Sequence, residues 1–233
     1  LFYLDERYGV RPKEVSIQSN QLDGLFVSGH VSKMTYARFL LGSLLPQDLD
    51  VVVYLDSDLV ITGPLAGLVE CENDWPPNAV VGAVAHDSGN HLVQFGFGGS
   101  TYFNAGVLVI NLRTWRRLNL ERKLIETGRS LYRKLHLWDQ DGLNLVLEGR
   151  WFELPERYNR TVTKSQRDSA SVVHFVGGAK PWMVGCKHPN RRDYDFFRGL
   201  TPFSPYIKSG IRRYLFKILV PRSLQKPSRL WKR

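Results

Sequence analysis

The sequence is poor in the features that settle a protein's class at a glance. No run of 18 or more apolar residues occurs in it, so none of it reads as a bilayer-spanning helix. No secretory signal, with its charged start, short apolar core and small-residue cleavage site, can be found. Two cysteines, Cys71 and Cys186, in 233 residues cannot build a disulfide framework, and a reducing, cytoplasmic setting is the default. There is no internal repeat and no low-complexity tract, which sets aside solenoids and disordered linkers. Residue 1 is Leu rather than Met, and Leu1-Phe2-Tyr3-Leu4 reads as a strand. The chain is therefore expected to start inside a domain, with preceding sequence absent.

What is present is ordinary for a folded domain, except in its charge. Hydrophobic residues make up 43% and charged residues 23%, and 233 residues can bury a sizeable core. The net charge of +10 is unevenly placed. Residues 187–233 hold thirteen Lys and Arg against Asp193 and Asp195, a net of +11, which leaves −1 for residues 1–186. From residue 206 to the end there is no acidic residue. Ile207, Ile211, Tyr214, Leu215 and Ile218 recur there at helical spacing, with Lys208, Arg212, Arg213 and Lys217 between them and Pro221 as a stop. Three readings fit this stretch: a basic amphipathic helix on an anionic membrane surface, a helix packed on the domain, or a nucleic-acid-binding segment. The membrane reading is preferred and nucleic acid is the least favoured. The chain thus divides into a body, residues 1–205, and a basic amphipathic tail, residues 206–233. It is expected to sit peripherally on the cytoplasmic face of a membrane.

Within the body, Val51-Val52-Val53-Tyr54-Leu55 runs directly into Asp56-Ser57-Asp58. A β-branched run without polar alternation reads as a strand buried on both faces. The two carboxylates that end it must then lie at the mouth of the sheet, where open α/β folds place ligands. Like charges two residues apart repel unless a cation lies between them, and a divalent metal favours carboxylate oxygen. The triplet alone is weak evidence. Asp-x-Asp recurs at Asp48/Asp50, Asp139/Asp141 and Asp193/Asp195, and roughly one such triplet is expected by chance.

Around it, Lys33–Leu45 reads as a helix stopped by Pro46. Ala79–Ala85 and Tyr102–Asn111 read as buried strands on either side of a Gly-rich loop. Arg113–Leu135 and Asp139–Leu147 read as helices, and Phe152–Leu154 and Val172–Val176 as short strands. Strands alternating with helices argue for an α/β layered domain with a largely parallel sheet.

Four further motifs complete the pattern: Tyr36-Ala37-Arg38, then Tyr102-Phe103-Asn104-Ala105-Gly106-Val107, then Trp138-Asp139-Gln140-Asp141, and finally His174-Phe175-Val176-Gly177-Gly178-Ala179-Lys180-Pro181-Trp182. The residue chemistry converges by itself. Imidazole with two carboxylates suits Mn²⁺ better than Ca²⁺. Glycines after the histidine let backbone approach a ligand, and a lysine close behind suits a diphosphate. A lone His after an apolar strand is otherwise a hydrogen-bonded core residue.

In type and order these motifs resemble glycosyltransferase family 8, the retaining enzymes that use nucleotide-activated sugars, and within it the lipopolysaccharide galactosyl- and glucosyltransferases. The resemblance covers roughly residues 30–185. It implies a GT-A type fold, a Rossmann-like mixed sheet flanked by helices. It also implies transfer of a hexose from UDP-glucose or UDP-galactose to a saccharide or glycolipid acceptor. By resemblance Asp56, Asp58 and His174 hold Mn²⁺ (or Mg²⁺), and Lys180 and Gly177 approach the diphosphate. Arg38 contacts donor sugar or phosphate, while Asp87, Asn104, Asp139 and Gln140 surround the transferred sugar. The bland alternatives are a surface ion pair for Arg38, a turn role for Asn104, a helix cap for Asp139 and packing for Trp182. Asp141 reads as structural. The family's first strand, which cradles the base, would lie before Leu1. Rival readings are a protein glucosyltransferase and a non-catalytic nucleotide-sugar-binding scaffold.

Overall fold

The computed structural model describes residues 2–29, 31–70, 75–86, 90–98, 101–161, 170–183 and 185–202. The basic tail expected over 206–233 lies outside the described residues. The chain opens with helix α1, Phe2–Tyr8, where a strand is expected. The apolar run there is only four residues long, too short for its periodicity to distinguish strand from helix, and helix-tolerant Asp5-Glu6-Arg7 follows it.

Lys33–Leu40 is a 3₁₀ helix that continues into the α-helical turn α2, Leu41–Leu44. Ser32 caps its start by accepting from the Met34 N–H. With three residues per turn, side chains at i and i+3 eclipse. Tyr36 and Phe39 therefore share one edge, buried and ring against ring at 5.2 Å. Thr35 and Arg38 share another, which faces the site.

Strand β1, Val51–Leu55, leads through Asp56 to β2, Leu59–Ile61, and short helix α3, Ala66–Glu70. Next come β3, Val81–His86, and the long β4, Tyr102–Asn111. The helical stretch expected over 113–135 is divided. Asn111 caps α4, Leu112–Arg117, and left-handed Asn119 (φ 51°) separates it from α5, Leu120–Leu131. Helix α6, Trp138–Val146, strands β5, Trp151–Glu153, and β6, Val172–His174, and helix α7, Arg191–Gly199, complete the order.

The main sheet runs β1-β4-β3-β5, and β2 and β6 form a separate pair. β4 is antiparallel to both β1 and β3, and only β3 and β5 are parallel. The largely parallel sheet expected from element alternation is therefore corrected to a mixed one. The helices between β4 and β5 bring β5 beside β3 rather than beside β4, so alternation along the chain does not become parallel pairing of successive strands. A second correction concerns β1. It is half-buried along its whole length and, among the described residues, pairs only with β4. β4 is the strand buried on both faces. Phe103, Leu108 and Ile110 pack with Phe39, Leu124 and Leu143 on one side, and Val107 and Val109 with Leu68 and Val172 on the other. An apolar run records burial of side chains, and it does not distinguish an edge from a centre.

The β3–β4 register jumps from Ala83↔Leu108 to Val84↔Asn104. Residues 105–107 thereby bulge out of the pairing with β3, and the Ala105 and Gly106 N–H groups donate to side chains.

A candidate metal and sugar site at the end of β1

Two strand pairings assemble the site. In the β2–β6 ladder Leu59 faces His174, and the Phe175 N–H donates to the Asp58 carbonyl at 2.9 Å. At the end of β1 the Asp56 N–H donates to the Gly106 carbonyl at 2.8 Å. Asp56, Asp58 and His174 are thus brought within reach of one another across more than a hundred residues. One donor atom from each lies within 4.8 Å of the others. Two carboxylates and a neutral imidazole at that separation suit a divalent transition metal.

Gly106 permits this closeness. A Cβ built on it would stand 2.5 Å from His174 Nδ1 and nearer still to Cε1. The Gly of the Asn-Ala-Gly-Val motif is therefore required by space, since the His174 ring lies over its Cα. Gly177 is required by conformation, at φ 78° with open space where a Cβ would be.

Arg38 is buried at 5% exposure, which excludes the surface ion pair offered as its bland reading. Nη2 donates to Asp56 Oδ1 at 2.6 Å, Nε pairs with Asp139 Oδ2 at 2.9 Å, and Nη1 donates to the Ala105 carbonyl. The guanidinium also lies 4.5 Å from the centre of the Tyr54 ring, and Tyr54 Oη donates to Asp56 Oδ1 at 2.8 Å. One delocalised cation thus neutralises two carboxylates that would otherwise repel each other.

Asp139 does not cap its helix. Its carboxylate accepts from Thr35 Oγ1 at 2.5 Å and faces Arg38. Burial pushes its carboxyl pKa upward, further than Arg38 and Thr35 draw it down. Asp141 is fully buried and accepts from the His136 and Leu137 N–H groups and from Tyr102 Oη. Burial, reinforced by Asp141, keeps the Tyr102 phenol protonated well above its usual range.

On the other side Lys180 Nζ pairs with Asp58 Oδ2 and donates to the Phe175 carbonyl at 2.7 Å. Burial alone would raise the Asp58 carboxyl, but its pairing with His174 and Lys180 outweighs that and holds the group at about 2. Asn104 and Gln140 meet side by side. Gln140 Oε1 accepts from Asn104 Nδ2 and the Ala105 N–H, both at 3.0 Å, and Gln140 Nε2 donates to Tyr102 Oη at 3.0 Å. Asn104 is therefore no simple turn residue.

The metal-donor set, Thr35, Arg38, Tyr54, Asn104, Asp139, Gln140 and Lys180 border one cavity of about 800 Å³, whose wall also includes His86, Trp138, Gly177 and Trp182. Trp182 reaches both readings at once, lining the cavity and packing against Tyr194 with centroids 6.0 Å apart. A second cavity, about 560 Å³, lies beside α4 and α5 and contains none of the residues expected in a site. Every expected site residue except Asp87, which lies outside the described residues, reaches the larger cavity. Thr35, Tyr54 and Asn159 are additions that sequence motifs did not signal. Thr35 lies three residues before Arg38, and Tyr54 two before Asp56, so both were within reach of a helical or strand period once those anchors were chosen.

This mixed α/β fold is that of sugar-transferring enzymes of the GT-A type, and its β1 ends in a carboxylate pair opposed by a histidine at the rim of the cavity. The chain belongs to glycosyl transferase family 8, whose model matches residues 10–185. Its fold and sequence are those of a hexosyltransferase. It is 32% identical over 225 residues to a lipopolysaccharide 1,2-glucosyltransferase of Escherichia coli, covering 88% of this chain and 65% of that enzyme. It is 27% identical over 223 residues to general stress protein A of Bacillus subtilis, covering 85% of this chain and 76% of that protein. Among solved structures it resembles the galactosyltransferase LgtC in complex with donor and acceptor sugar analogues. That match has a TM-score of 0.69 and 27% identity, and it covers 82% of this chain and 76% of LgtC. Among the described residues no helix is long and apolar enough to cross a membrane.

Proposed function

We propose that this chain is a Mn²⁺-dependent retaining hexosyltransferase. It takes glucose or galactose from a UDP-sugar and adds it to a saccharide acceptor on a lipid-linked glycan such as lipopolysaccharide. The observation that carries the proposal is the convergence of Asp56, Asp58 and His174 in a cavity that Asn104, Asp139 and Gln140 also line. The names of the E. coli relative and of LgtC support the choice of sugar and acceptor.

Asp56 and Asp58 with His174 Nε2 would hold the ion, whose Lewis acidity takes up charge developing on the leaving diphosphate. Lys180, beside Asp58, is placed to bind a phosphate oxygen on the same side. Arg38 holds Asp56 and Asp139 in fixed positions and so sets the distance between the metal donors and the sugar pocket. Both ends of the Gln140 amide are hydrogen-bonded, so it presents a rigid dipole to the sugar. Among the described residues each carboxylate bordering the cavity is already engaged: Asp56 by Arg38, Asp58 by His174 and Lys180, Asp139 by Arg38 and Thr35. None is a free nucleophile, which favours attack by the acceptor on the face that the diphosphate leaves. The basic tail, residues 206–233, would hold the enzyme against an anionic membrane where such acceptors reside.

The test is UDP release from UDP-glucose and UDP-galactose with and without Mn²⁺, compared with Asp56→Asn. Metal-dependent release that Asp56→Asn abolishes is the expected result. Release indifferent to both metal and Asp56 would refute the assignment.

A further inference from the structure

Asn159 belongs to none of the sequence motifs, yet it is 2% exposed and in contact with the metal-donor set. It follows the 3₁₀ turn Glu156–Tyr158. Its side chain closes a hydrogen-bond relay whose direction can be read from a donor that admits no ambiguity, a backbone N–H.

The Gly106 N–H, in the stretch of β4 that lies outside the register with β3, donates to Asn104 Oδ1 at 2.9 Å. That contact fixes which end of the Asn104 amide is oxygen. The Ala105 N–H does the same for Gln140 Oε1, and the Asn104 NH₂ then donates to that oxygen, so the two amide assignments agree. Asn104 Oδ1 also faces Asn159 at 2.7 Å, so the Asn159 group there is the NH₂. Its Oδ1 consequently points at His174 Nδ1, 2.9 Å away. An acceptor at that position requires Nδ1 to carry the hydrogen. Nε2, which points at Asp58 and Asp56 at 3.1 and 3.8 Å, is then left with its lone pair when the ring is neutral.

We propose that Asn159 is a positioning residue that selects the Nδ1–H tautomer of His174 and so makes Nε2 a metal ligand. A ligating histidine needs such a partner on its other nitrogen to hold both tautomer and ring orientation. Here the partner is itself oriented from the backbone of the Asn-Ala-Gly-Val motif through Asn104. The amides that border the sugar and the histidine that borders the metal thereby share one relay. Reversing the Asn159 amide would set two NH₂ or N–H donors against each other at His174 and two oxygens against each other at Asn104. The inference rests on the metal reading of Asp56, Asp58 and His174.

The test is Mn²⁺ affinity, read from the free-ion signal in electron paramagnetic resonance. Three forms of the full chain are compared: wild type, Asn159→Leu and Asn159→Asp. Leucine keeps the branched shape and removes the acceptor, and the Mn²⁺ dissociation constant should rise about 10- to 100-fold. Aspartate restores an acceptor for Nδ1–H but sets its other oxygen against Asn104 Oδ1, and it should return part of that loss. A folded N159L that binds as wild type, or a folded N159D as weak as N159L, overturns the assignment. Wild type alone gives a second measurement that does not depend on the variants' folding. In the Zn²⁺-loaded, ¹⁵N-histidine-labelled chain, with His174 assigned through His174→Gln, Nδ1 should be protonated and Nε2 coordinated. Coordination through Nδ1 overturns the proposal. If wild type binds neither ion, the metal reading falls and this inference with it; if wild type binds and the variants match it, only the role of Asn159 falls.

Discussion

Replacing Gly106 with alanine probes the closest packing in the site. The new methyl carbon would stand 2.5 Å from His174 Nδ1, closer still to Cε1, and 3.0 Å from Asn104 Oδ1. Carbon atoms pack at about 3.5–4.0 Å, so the ring would have to move by roughly an ångström or more. It cannot swing freely. His174 is 4% exposed and held by Asn159 on one nitrogen and Asp58 on the other. Overfilling a packed site of this kind costs about 1–3 kcal/mol. At about 2–4 °C per kcal/mol for a domain of this size, the melting temperature should fall by roughly 2–12 °C. Displacement of Nε2 should weaken Mn²⁺ binding about tenfold or more. The backbone φ of Gly106 is not among the positive ones, so strain from the alanine itself is small. A double-mutant cycle isolates the clash. In a His174→Ala background the same Gly106→Ala change should cost little, giving a coupling of about 1–3 kcal/mol. The assays are thermal unfolding and a Mn²⁺ titration. Wild-type melting and metal affinity in Gly106→Ala, or equal costs in the two backgrounds, would refute the reasoning.

Three further outcomes are expected. In EDTA, Asp58 should stabilise the fold fully above its unfolded pKa near 3.9. Because its folded value is depressed to about 2, that contribution, about 2 kcal/mol, should disappear as pH falls from about 4 to about 2. Asp58→Asn should flatten that part of the stability profile, and an unchanged acid limb counts against the Lys180 and His174 pairing. Arg38→Met should cost about 3–5 kcal/mol by urea unfolding, because it strands Asp56 and Asp139 together in a buried site; a loss under 1 kcal/mol would mean that Arg38 is not their counter-charge. Deleting residues 206–233 should abolish co-sedimentation with anionic vesicles at moderate salt, and equal binding by the truncated chain would remove the membrane proposal.

The chemistry of the site was legible in the sequence to the extent that it rests on residue type in a fixed local order. Asp56 and Asp58 follow an apolar run, and His174 is trailed by glycines and a lysine, so the cluster that could hold a metal was expected before any contact was known. Local capacity for helix or strand was legible as well: β1, β3, β4 and α6 fall where periodicity and apolar runs place them, within a few residues. Where the local signal is short it failed, as at α1, since four apolar residues serve either conformation equally.

Only the tertiary structure decided which strand is central, which pairs are parallel, and which side chains neutralise which. β1 reads as buried but lies half-exposed beside β4, because burial depends on what packs against a strand and not on its own composition. The surface ion pair offered as the alternative for Arg38 gives way only once the 3₁₀ helix aligns it with Thr35 and turns it inward onto Asp56 and Asp139. Asn159 carries no sequence signal at all. Its role comes from two contacts, with Asn104 and with His174, and Asn104 is in turn oriented by the backbone N–H of Gly106. Residue chemistry is local and survives in a linear string. Electrostatic pairing, tautomer and close packing depend on distances between segments a hundred residues apart, and those exist only once the chain is folded.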